Sequence, residues 1–189
     1  MKLYYTFTEN RPADSAIEPP RSAYTDSAFA YSLLRAALRR EGLADALPHI
    51  SRGSKGKPYF THRPELNFSL SHSNGHILCA LGSNRVGADV QMRRELVPGF
   101  AERITVPSEL EEFDFFELWT LRESLYKLRG EGNLRRMTFQ RIDGVIIAPE
   151  PGVYCRSYDS VPGCSAAIVS EADNCPEDIV KVPILECLK

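Results

Sequence analysis

Two short segments carry the charged side chains best suited to chemistry in this 189-residue chain. In residues 86–91, Asp89 interrupts an apolar run that otherwise has the composition of a buried strand. In residues 119–127, Glu123 and Lys127 stand about one helical turn apart. Hard cations such as Mg²⁺ take oxygen ligands, often one or two carboxylates together with substrate phosphates. The two segments therefore predict a divalent-cation site that handles a phosphorylated substrate.

Each of these residues also has an ordinary structural interpretation. Taken alone, Glu123 and Lys127 fit an exposed i,i+4 ion pair on a helix. Asp89 alone fits a strand-end residue that caps a neighbouring loop, although a buried carboxylate costs stability unless it has a cation or donors. The residues by themselves leave both interpretations open.

Further candidates are histidines and a lysine in the first half. His72 and His76 have the spacing of a helical zinc pair, but the Asn-Gly between them predicts a hairpin turn. We therefore expect the two histidines on different strands, without zinc. Lys57, in a Gly-Lys-Pro loop, gains meaning only if it converges with His72 and Arg35, because phosphate binding favours several cationic donors together.

Composition argues against several other classes of protein. The net charge of −2 argues against a non-specific nucleic-acid binder, which would be basic. No apolar run approaches the roughly 20 residues needed to cross a membrane, and the N-terminus does not resemble a signal peptide. The five cysteines form no C-x-x-C pair, so they indicate neither a disulfide framework nor a zinc site. We expect a cytoplasmic protein that binds neither nucleic acid nor membrane.

Hydrophobic patterning predicts a mixed α/β chain that positions these residues on strands and helices. The predicted elements are a strand over 2–8, a helix over 25–40, a hairpin over 66–81, a strand over 86–91 and a helix over 109–129. The order of strand, long helix, loop and several strands occurs once in each half. This order suggests two similar halves joined near residues 82–87.

The second long helix has the clearest pattern. Ser108 is expected to cap its N-terminus with Glu111 completing a capping box, and Gly130 is expected to end it. Its apolar stripe consists of leucines, namely Leu118, Leu121, Leu125 and Leu128. At about 100° per residue, Glu123 and Lys127 fall on the other side of the helix, where they could line a cleft.

Five motifs follow one another in a fixed order between about residues 30 and 130. They are Gly56-Lys57-Pro58, Asn67 to Ser73, Gly87-Ala88-Asp89-Val90-Gln91, Pro107-Ser108-Glu109 and Trp119 to Lys127. As an ordered set, these motifs resemble the 4'-phosphopantetheinyl transferase superfamily, specifically its two-halved, Sfp-type enzymes.

The resemblance implies an α/β (α+β) fold of two pseudo-symmetric halves, each a helix packed on a small, mainly antiparallel sheet. Residues 1–85 would bind the nucleotide end of coenzyme A, and residues 86–189 would hold Mg²⁺ and the catalytic groups. A monomer is expected, because the two halves would mimic a dimer interface within one chain.

The implied activity is transfer of the 4'-phosphopantetheine arm of coenzyme A to a serine of an apo acyl or peptidyl carrier protein, releasing adenosine 3',5'-bisphosphate. The alternative is a coenzyme A-binding homologue of the same fold that does not catalyse the transfer. The sequence does not separate carriers of fatty-acid, polyketide and nonribosomal peptide biosynthesis.

The resemblance also assigns roles around the cation. Asp89 and Glu123 would hold Mg²⁺, and Gln91 stands where the family has a third acidic ligand, so we predict weaker Mg²⁺ binding. Glu123 would also help to deprotonate the carrier serine, and Lys127 would neutralise charge on the departing phosphate. Arg122 replaces the usual lysine.

The remaining implied contacts are with the nucleotide end and its 3'-phosphate. They involve Arg35, Lys57, Ser71, His72 and Lys127. The N-terminal region lacks a clear basic pair, so part of the 3'-phosphate site is either missing or supplied by Arg21.

Overall fold

Two small sheets, each covered by one long helix, form the framework of residues 1–8 and 26–189, the part of the chain that the computed structural model describes. The first half contains β1 (Lys2–Phe7), α1 (Asp26–Arg40), β2 (Ile50–Arg52), β3 (Pro58–Phe60), β4 (Asn67–Ser73) and β5 (His76–Gly82). Its main sheet has the order β11-β1-β5-β4, where β11 is Val180–Lys181. Helix α1 packs on β5 and β4 through buried apolar residues that include Phe29, Leu33 and Leu34.

The second half begins with β6 (Val86–Met92), which leads into α2 (Phe100–Ile104), α3 (Pro107–Glu112) and α4 (Phe115–Arg129). A 3₁₀ turn (Leu134–Arg136), β7 (Gln140–Ile142), β8 (Val145–Ile147), β9 (Tyr154–Tyr158) and β10 (Cys164–Ser170) complete it. Helix α5 (Ile184–Cys187) follows β11 in the chain. The sheet β6-β10-β9 is antiparallel, and α4 packs on it. The predicted leucine stripe of α4 is confirmed, since all four leucines are fully buried in this core.

The fold class is therefore confirmed: mixed α and β, with small, mainly antiparallel sheets. The exception is β11, which pairs in parallel with β1. Beside it, α5 packs against α1, so the last residues of the chain lie on the first half. The division at residue 85 remains a prediction. No helix in the described ranges is both long and apolar enough to cross a membrane.

Several local predictions agree with the structure. The hairpin β4-β5 turns at Asn74 and Gly75, whose φ angles of 47° and 79° are those of a tight hairpin turn. His72 and His76 consequently lie on different strands, as expected. The left-handed Gly130, with φ 77°, ends α4 as predicted.

The single helix predicted over residues 109–129 is wrong, because the chain breaks there into α3 and α4. Asp114 caps α4: its Oδ1 accepts hydrogen bonds from Phe116 N (2.9 Å) and Glu117 N (3.1 Å). The capping glutamate of α3 is Glu109, whose Oε2 accepts from Val106 N at 3.0 Å. Ser108 and Glu111 are therefore not the cap, since a short polar side chain at position 114 offers backbone N–H groups a better acceptor.

The two sheets meet where the edge strand β4 lies beside β6. Three serine hydroxyls of β4 accept hydrogen bonds from backbone N–H groups of β6. The pairs are Ala88 N to Ser69 Oγ (2.9 Å), Val90 N to Ser71 Oγ (3.2 Å) and Met92 N to Ser73 Oγ (3.0 Å). Side chains thus supply the hydrogen bonds that a neighbouring strand would otherwise give to this edge. We call this set the serine ladder.

Gly87 lets β6 and α4 touch backbone to backbone. A Cβ at this position would lie 1.9 Å from Ser124 O and 2.6 Å from Leu128 N, which no side chain allows. The glycine therefore lets the start of β6 approach the backbone of α4 at Ser124 and Leu128.

Candidate active site

Asp89 lies at the contact of β4, β6 and α4, with its side chain only 8% exposed. Its Oδ1 accepts from Ser71 Oγ at 2.6 Å and from Lys127 Nζ at 2.7 Å. No described residue donates a hydrogen bond to its Oδ2 atom. The carboxylate is thus held through one oxygen and keeps the other available.

Glu123 is half-buried on α4, and its carboxylate makes no hydrogen bond or ion pair with the described residues. Burial raises its pKa above the ordinary value, the negative charge of Asp89 raises it further, and Lys127 partly opposes both effects. Two carboxylates that repel each other in this way favour either a shared proton or a cation.

Gln91 follows Asp89 on the same face of β6. Its Nε2 donates to Ser73 Oγ at 3.2 Å and to Met92 O at 3.5 Å, and its Oε1 has no partner among the described residues. The side chain lines a small cavity together with Trp119, which precedes Glu123 by one turn of α4. Gln91 therefore carries a third oxygen on the face of β6 that also carries Asp89.

This donor set fits Mg²⁺, because every free ligand atom is an oxygen and two of the groups are carboxylates. The described residues contain no cluster of three His, Cys, Asp or Glu side chains that could hold a metal, since the third group here is an amide. An all-oxygen set with one neutral member is unsuited to zinc, which prefers nitrogen and sulfur.

Lys127 bridges the two sheets through its ammonium group. Besides Asp89, its Nζ approaches Ala88 O (3.3 Å) on β6 and Leu70 O (3.4 Å) on β4. The Cα positions of Glu123 and Lys127 are one turn apart, but the ammonium pairs with Asp89 and not with Glu123. The isolated i,i+4 surface pair is therefore not what forms.

A cavity of about 290 Å³ opens beside these groups, between α1, the β2-β3 loop, β4 and the end of α4. Three of the predicted site residues line it: Lys57, His72 and Lys127. The remaining lining includes two aromatic rings and two cations that sequence reasoning did not single out, namely Tyr31, Tyr126, Arg52 and Lys55. The glycine- and lysine-rich composition of residues 51–58 is a signal for Arg52 and Lys55, whereas Tyr31 and Tyr126 lie outside that loop, in α1 and α4.

Lys57 lines the cavity and also contacts β6 and α4. Its Nζ donates to Val86 O (3.0 Å) at the start of β6 and to Leu128 O (3.1 Å) near the end of α4. Burial, with a smaller contribution from the positive charge of Arg85, lowers its pKa to about 8. His72 is exposed, with Nδ1 3.8 Å from Asp26 Oδ2.

Two predicted nucleotide contacts lie elsewhere. The Ser71 hydroxyl is directed to Asp89 and does not line the cavity. Arg35 lies one turn beyond Tyr31 on α1, and its Nη2 donates to Cys187 O in α5 at 3.0 Å. The structure therefore does not bring Arg35 to the cavity. Arg21 lies outside the described residues.

Comparison with known proteins finds similarity to one family over part of the chain. Residues 85–160, which include β6, α3 and α4, match the model of the 4'-phosphopantetheinyl transferase superfamily. Over 175 residues the chain is 27% identical to "4'-phosphopantetheinyl transferase Sfp" of Bacillus subtilis (strain 168), covering 82% of this chain and 78% of that protein. Over residues 85–160 the chain is therefore similar to the 4'-phosphopantetheinyl transferase superfamily.

Two further relatives are similar over shorter stretches. A Bacillus subtilis protein named 4'-phosphopantetheinyl transferase is 30% identical over 107 residues, 51% of this chain and 48% of its own length. "4'-phosphopantetheinyl transferase HetI" of Nostoc sp. is 28% identical over 138 residues, 65% of this chain and 55% of its own length.

Arg122, which the resemblance marks as a replacement for the usual lysine, has a structural explanation. The guanidinium is fully enclosed and donates from Nε to Met137 O (2.9 Å), from Nη1 to Ile104 O (2.7 Å) and from Nη2 to Glu109 Oε2 (2.6 Å). It therefore ties α4 to α2, α3 and the segment after the 3₁₀ turn. Only a planar fork of donors reaches all three acceptors at once.

Proposed function

We propose that this chain transfers the 4'-phosphopantetheine arm of coenzyme A to a serine hydroxyl of an apo carrier protein, with adenosine 3',5'-bisphosphate as the second product. The observation that carries this proposal is the convergence of Asp89, Glu123 and Lys127 beside a cation-lined cavity. The similar proteins of Bacillus subtilis and Nostoc sp. are named 4'-phosphopantetheinyl transferases, which supports the proposal.

In the proposed reaction, Mg²⁺ would be held by Asp89, Gln91 and Glu123. When bound, the cation supplies neutralising charge to the pyrophosphate of coenzyme A. Every protein oxygen assigned to it is one that the described residues leave without a hydrogen-bond partner. The reaction is therefore proposed to depend on Mg²⁺.

Glu123 is the proposed acceptor of the serine proton. As the serine Oγ forms its bond to the β-phosphorus, the bond from that phosphorus to the oxygen of the adenosine-bearing phosphate breaks, and the serine proton passes to the Glu123 carboxylate directly or through water. A carboxylate whose pKa is raised by burial is a stronger base than an exposed one.

Lys127 is proposed to stabilise the negative charge that develops on the leaving phosphate. Its ammonium already stands at the meeting point of β4, β6 and α4, so it needs little rearrangement to act there. Fixed positive charge aimed at developing negative charge is the main contribution a protein makes to phosphoryl transfer.

For the nucleotide end of coenzyme A we propose the cavity lined by Lys57 and His72. Arg52 and Lys55, on the same wall, bring additional positive charge toward the phosphates. The rings of Tyr31 and Tyr126 offer flat apolar surface to the base. We further propose that the chain acts as a cytoplasmic monomer.

The decisive experiment is mass spectrometry of an apo carrier protein incubated with the chain, coenzyme A and Mg²⁺. Gain of one phosphopantetheine on the carrier serine, lost in Glu123→Gln and with chelator, would support the transfer. Glu111→Gln, which changes an exposed glutamate of α3, is the matched control and should leave the gain intact. Coenzyme A binding without any gain, tested with several carriers, would instead favour the non-catalytic homologue, which the neutral Gln91 suggests as the alternative.

A further inference from the structure

The serine ladder does more than join the two sheets, because two of its three hydroxyls also contact side chains assigned to the cation. Ser71 Oγ contacts Asp89, and Ser73 Oγ contacts Gln91. Ser69 makes the same backbone contact to β6 but touches no such side chain. Ser71 and Ser73 are therefore candidates for a role at the cation site, and Ser69 serves as a control with the same backbone contact.

Ser71 fixes which oxygen of Asp89 is free. A hydroxyl has one proton to donate and two lone pairs with which to accept. Ser71 accepts Val90 N–H at 3.2 Å, and its proton therefore goes to Asp89 Oδ1, 2.6 Å away. That distance is typical of a charge-assisted bond from a hydroxyl to a carboxylate. Since Lys127 also occupies Oδ1, Oδ2 is the atom left for a cation.

Ser73 fixes the orientation of the Gln91 amide. Its Oγ accepts from both Met92 N (3.0 Å) and Gln91 Nε2 (3.2 Å). Turning the amide over would place Gln91 Oε1 in the position of Nε2, 3.5 Å from the carbonyl oxygen of Met92, where two acceptors repel. The nitrogen therefore stays toward β4, and Oε1 is the atom left for a cation.

We propose that Ser71 and Ser73 are positioning residues that make Asp89 and Gln91 each present one defined oxygen to the divalent cation. This inference rests on the proposed function, and it assigns Ser71 to the cation site in place of the nucleotide contact expected from the sequence. Groups that orient metal ligands commonly change metal affinity by about 10- to 100-fold when removed.

The test is the affinity of the chain for Mn²⁺, measured by electron paramagnetic resonance without coenzyme A or carrier protein, so that neither turnover nor contacts of coenzyme A with the cavity lined by Ser69 affect the result. Ser71→Ala should weaken Mn²⁺ binding about tenfold, and Ser73→Ala should weaken it less. Ser69→Ala, which loses the same kind of backbone hydrogen bond, should bind Mn²⁺ as the unmodified chain does. Ser71→Thr keeps a hydroxyl and should restore the affinity.

Equal Mn²⁺ affinity in Ser71→Ala and Ser69→Ala would overturn the positioning role while leaving the transfer reaction untouched. Failure of the unmodified chain to bind Mn²⁺ would overturn the cation site and with it this inference. Carrier modification is scored separately, so the two failures are distinguishable. Thermal unfolding of each variant confirms that any change is measured on folded protein.

Discussion

Lys127 Nζ lies 2.7 Å from Asp89 Oδ1, so the last turn of α4 is joined to the middle of β6 by an ion pair that is mostly shielded from water. The aspartate is nearly buried, whereas the lysine keeps 28% of its side-chain exposure. The pair therefore holds a negative charge in place on one side while leaving its cation within reach of the cavity. This asymmetry is what a site needs if the ammonium has to meet a phosphate.

Replacing Lys127 by Met should lower kcat for carrier modification by about 100-fold or more, because loss of one preorganised stabilising group typically costs that much. The KM for coenzyme A should change far less. Steady-state kinetics with varied coenzyme A separates the two parameters. Lys181→Met, in β11, is the control and should match the unmodified chain. Equal loss in kcat and in coenzyme A binding would contradict a role specific to the leaving phosphate.

Replacing Gln91 by Glu should lower the Mg²⁺ concentration that gives half-maximal transfer, since a third carboxylate adds one negative charge to the cation site. We expect about a tenfold change, equivalent to roughly 1.4 kcal/mol. Gln140→Glu, on exposed β7, adds the same charge away from the site and should have no effect. An unchanged Mg²⁺ requirement would remove Gln91 from the proposed ligand set.

Arg122 should be important for stability. Lys at this position keeps the charge but cannot reach Met137, Ile104 and Glu109 together, so we expect the free energy of unfolding to fall by about 2 kcal/mol. Arg122→Met should cost about 3–5 kcal/mol, because it leaves Glu109 buried and unpaired. Urea unfolding measures both. Arg135→Lys, at an exposed position, should be neutral; comparable losses there would indicate a non-specific effect.

Gly87→Ala should destabilise the chain by about 3 kcal/mol or force α4 away from β6, because overpacking at a rigid backbone contact has no flexible neighbour to yield. Gly53→Ala is the matched control, since the nearest atom to its Cβ would be Lys57 O at an ordinary 3.7 Å. Thermal unfolding compares the two variants. Equal melting temperatures would show that β6 and α4 are not in the close contact described.

The lowered pKa of Lys57 predicts a specific pH dependence of stability. The folded pKa is about 8, below the ordinary 10.5, so in this interval the unfolded chain binds a proton that the folded chain lacks. The contribution of this group to the free energy of unfolding therefore increases, and the fold becomes more stable, as the pH rises from 8 to 10.5. Urea unfolding at several pH values measures this. The free energy of unfolding of Lys57→Met should lack the rise between pH 8 and 10.5 that the unmodified chain shows. Lys55→Met should show the same rise as the unmodified chain.

Sequence reasoning succeeded where the signal is local. The Asn-Gly turn, the leucine stripe and Gly130 each depend on residues a few positions apart, and all three agree with the structure. The break at Asp114 was missed because the apolar period of α4 is compatible with a longer helix. Several polar side chains near the start of α4 could accept its first backbone N–H groups, and in the structure Asp114 is the one that does.

Contacts between distant segments were harder to foresee. Nothing near Arg35 in the sequence indicates that Cys187 will lie beside it, because that contact depends on the return of α5 to α1. The same applies to Ser71, whose partner Asp89 is on another strand. Asp89 and Lys127 were assigned to one site in advance only through the motif order, and the structure adds the ion pair between them. Their catalytic roles remain predictions.

The return of β11 and α5 to the first sheet has a consequence for how this chain is made. Val182, Ile184 and Cys187 are buried in the same core as Phe29 and Leu33 of α1. During synthesis on a ribosome, that core stays incomplete until these late residues have emerged from the exit tunnel. The half of the molecule translated first must therefore be among the last parts to finish folding.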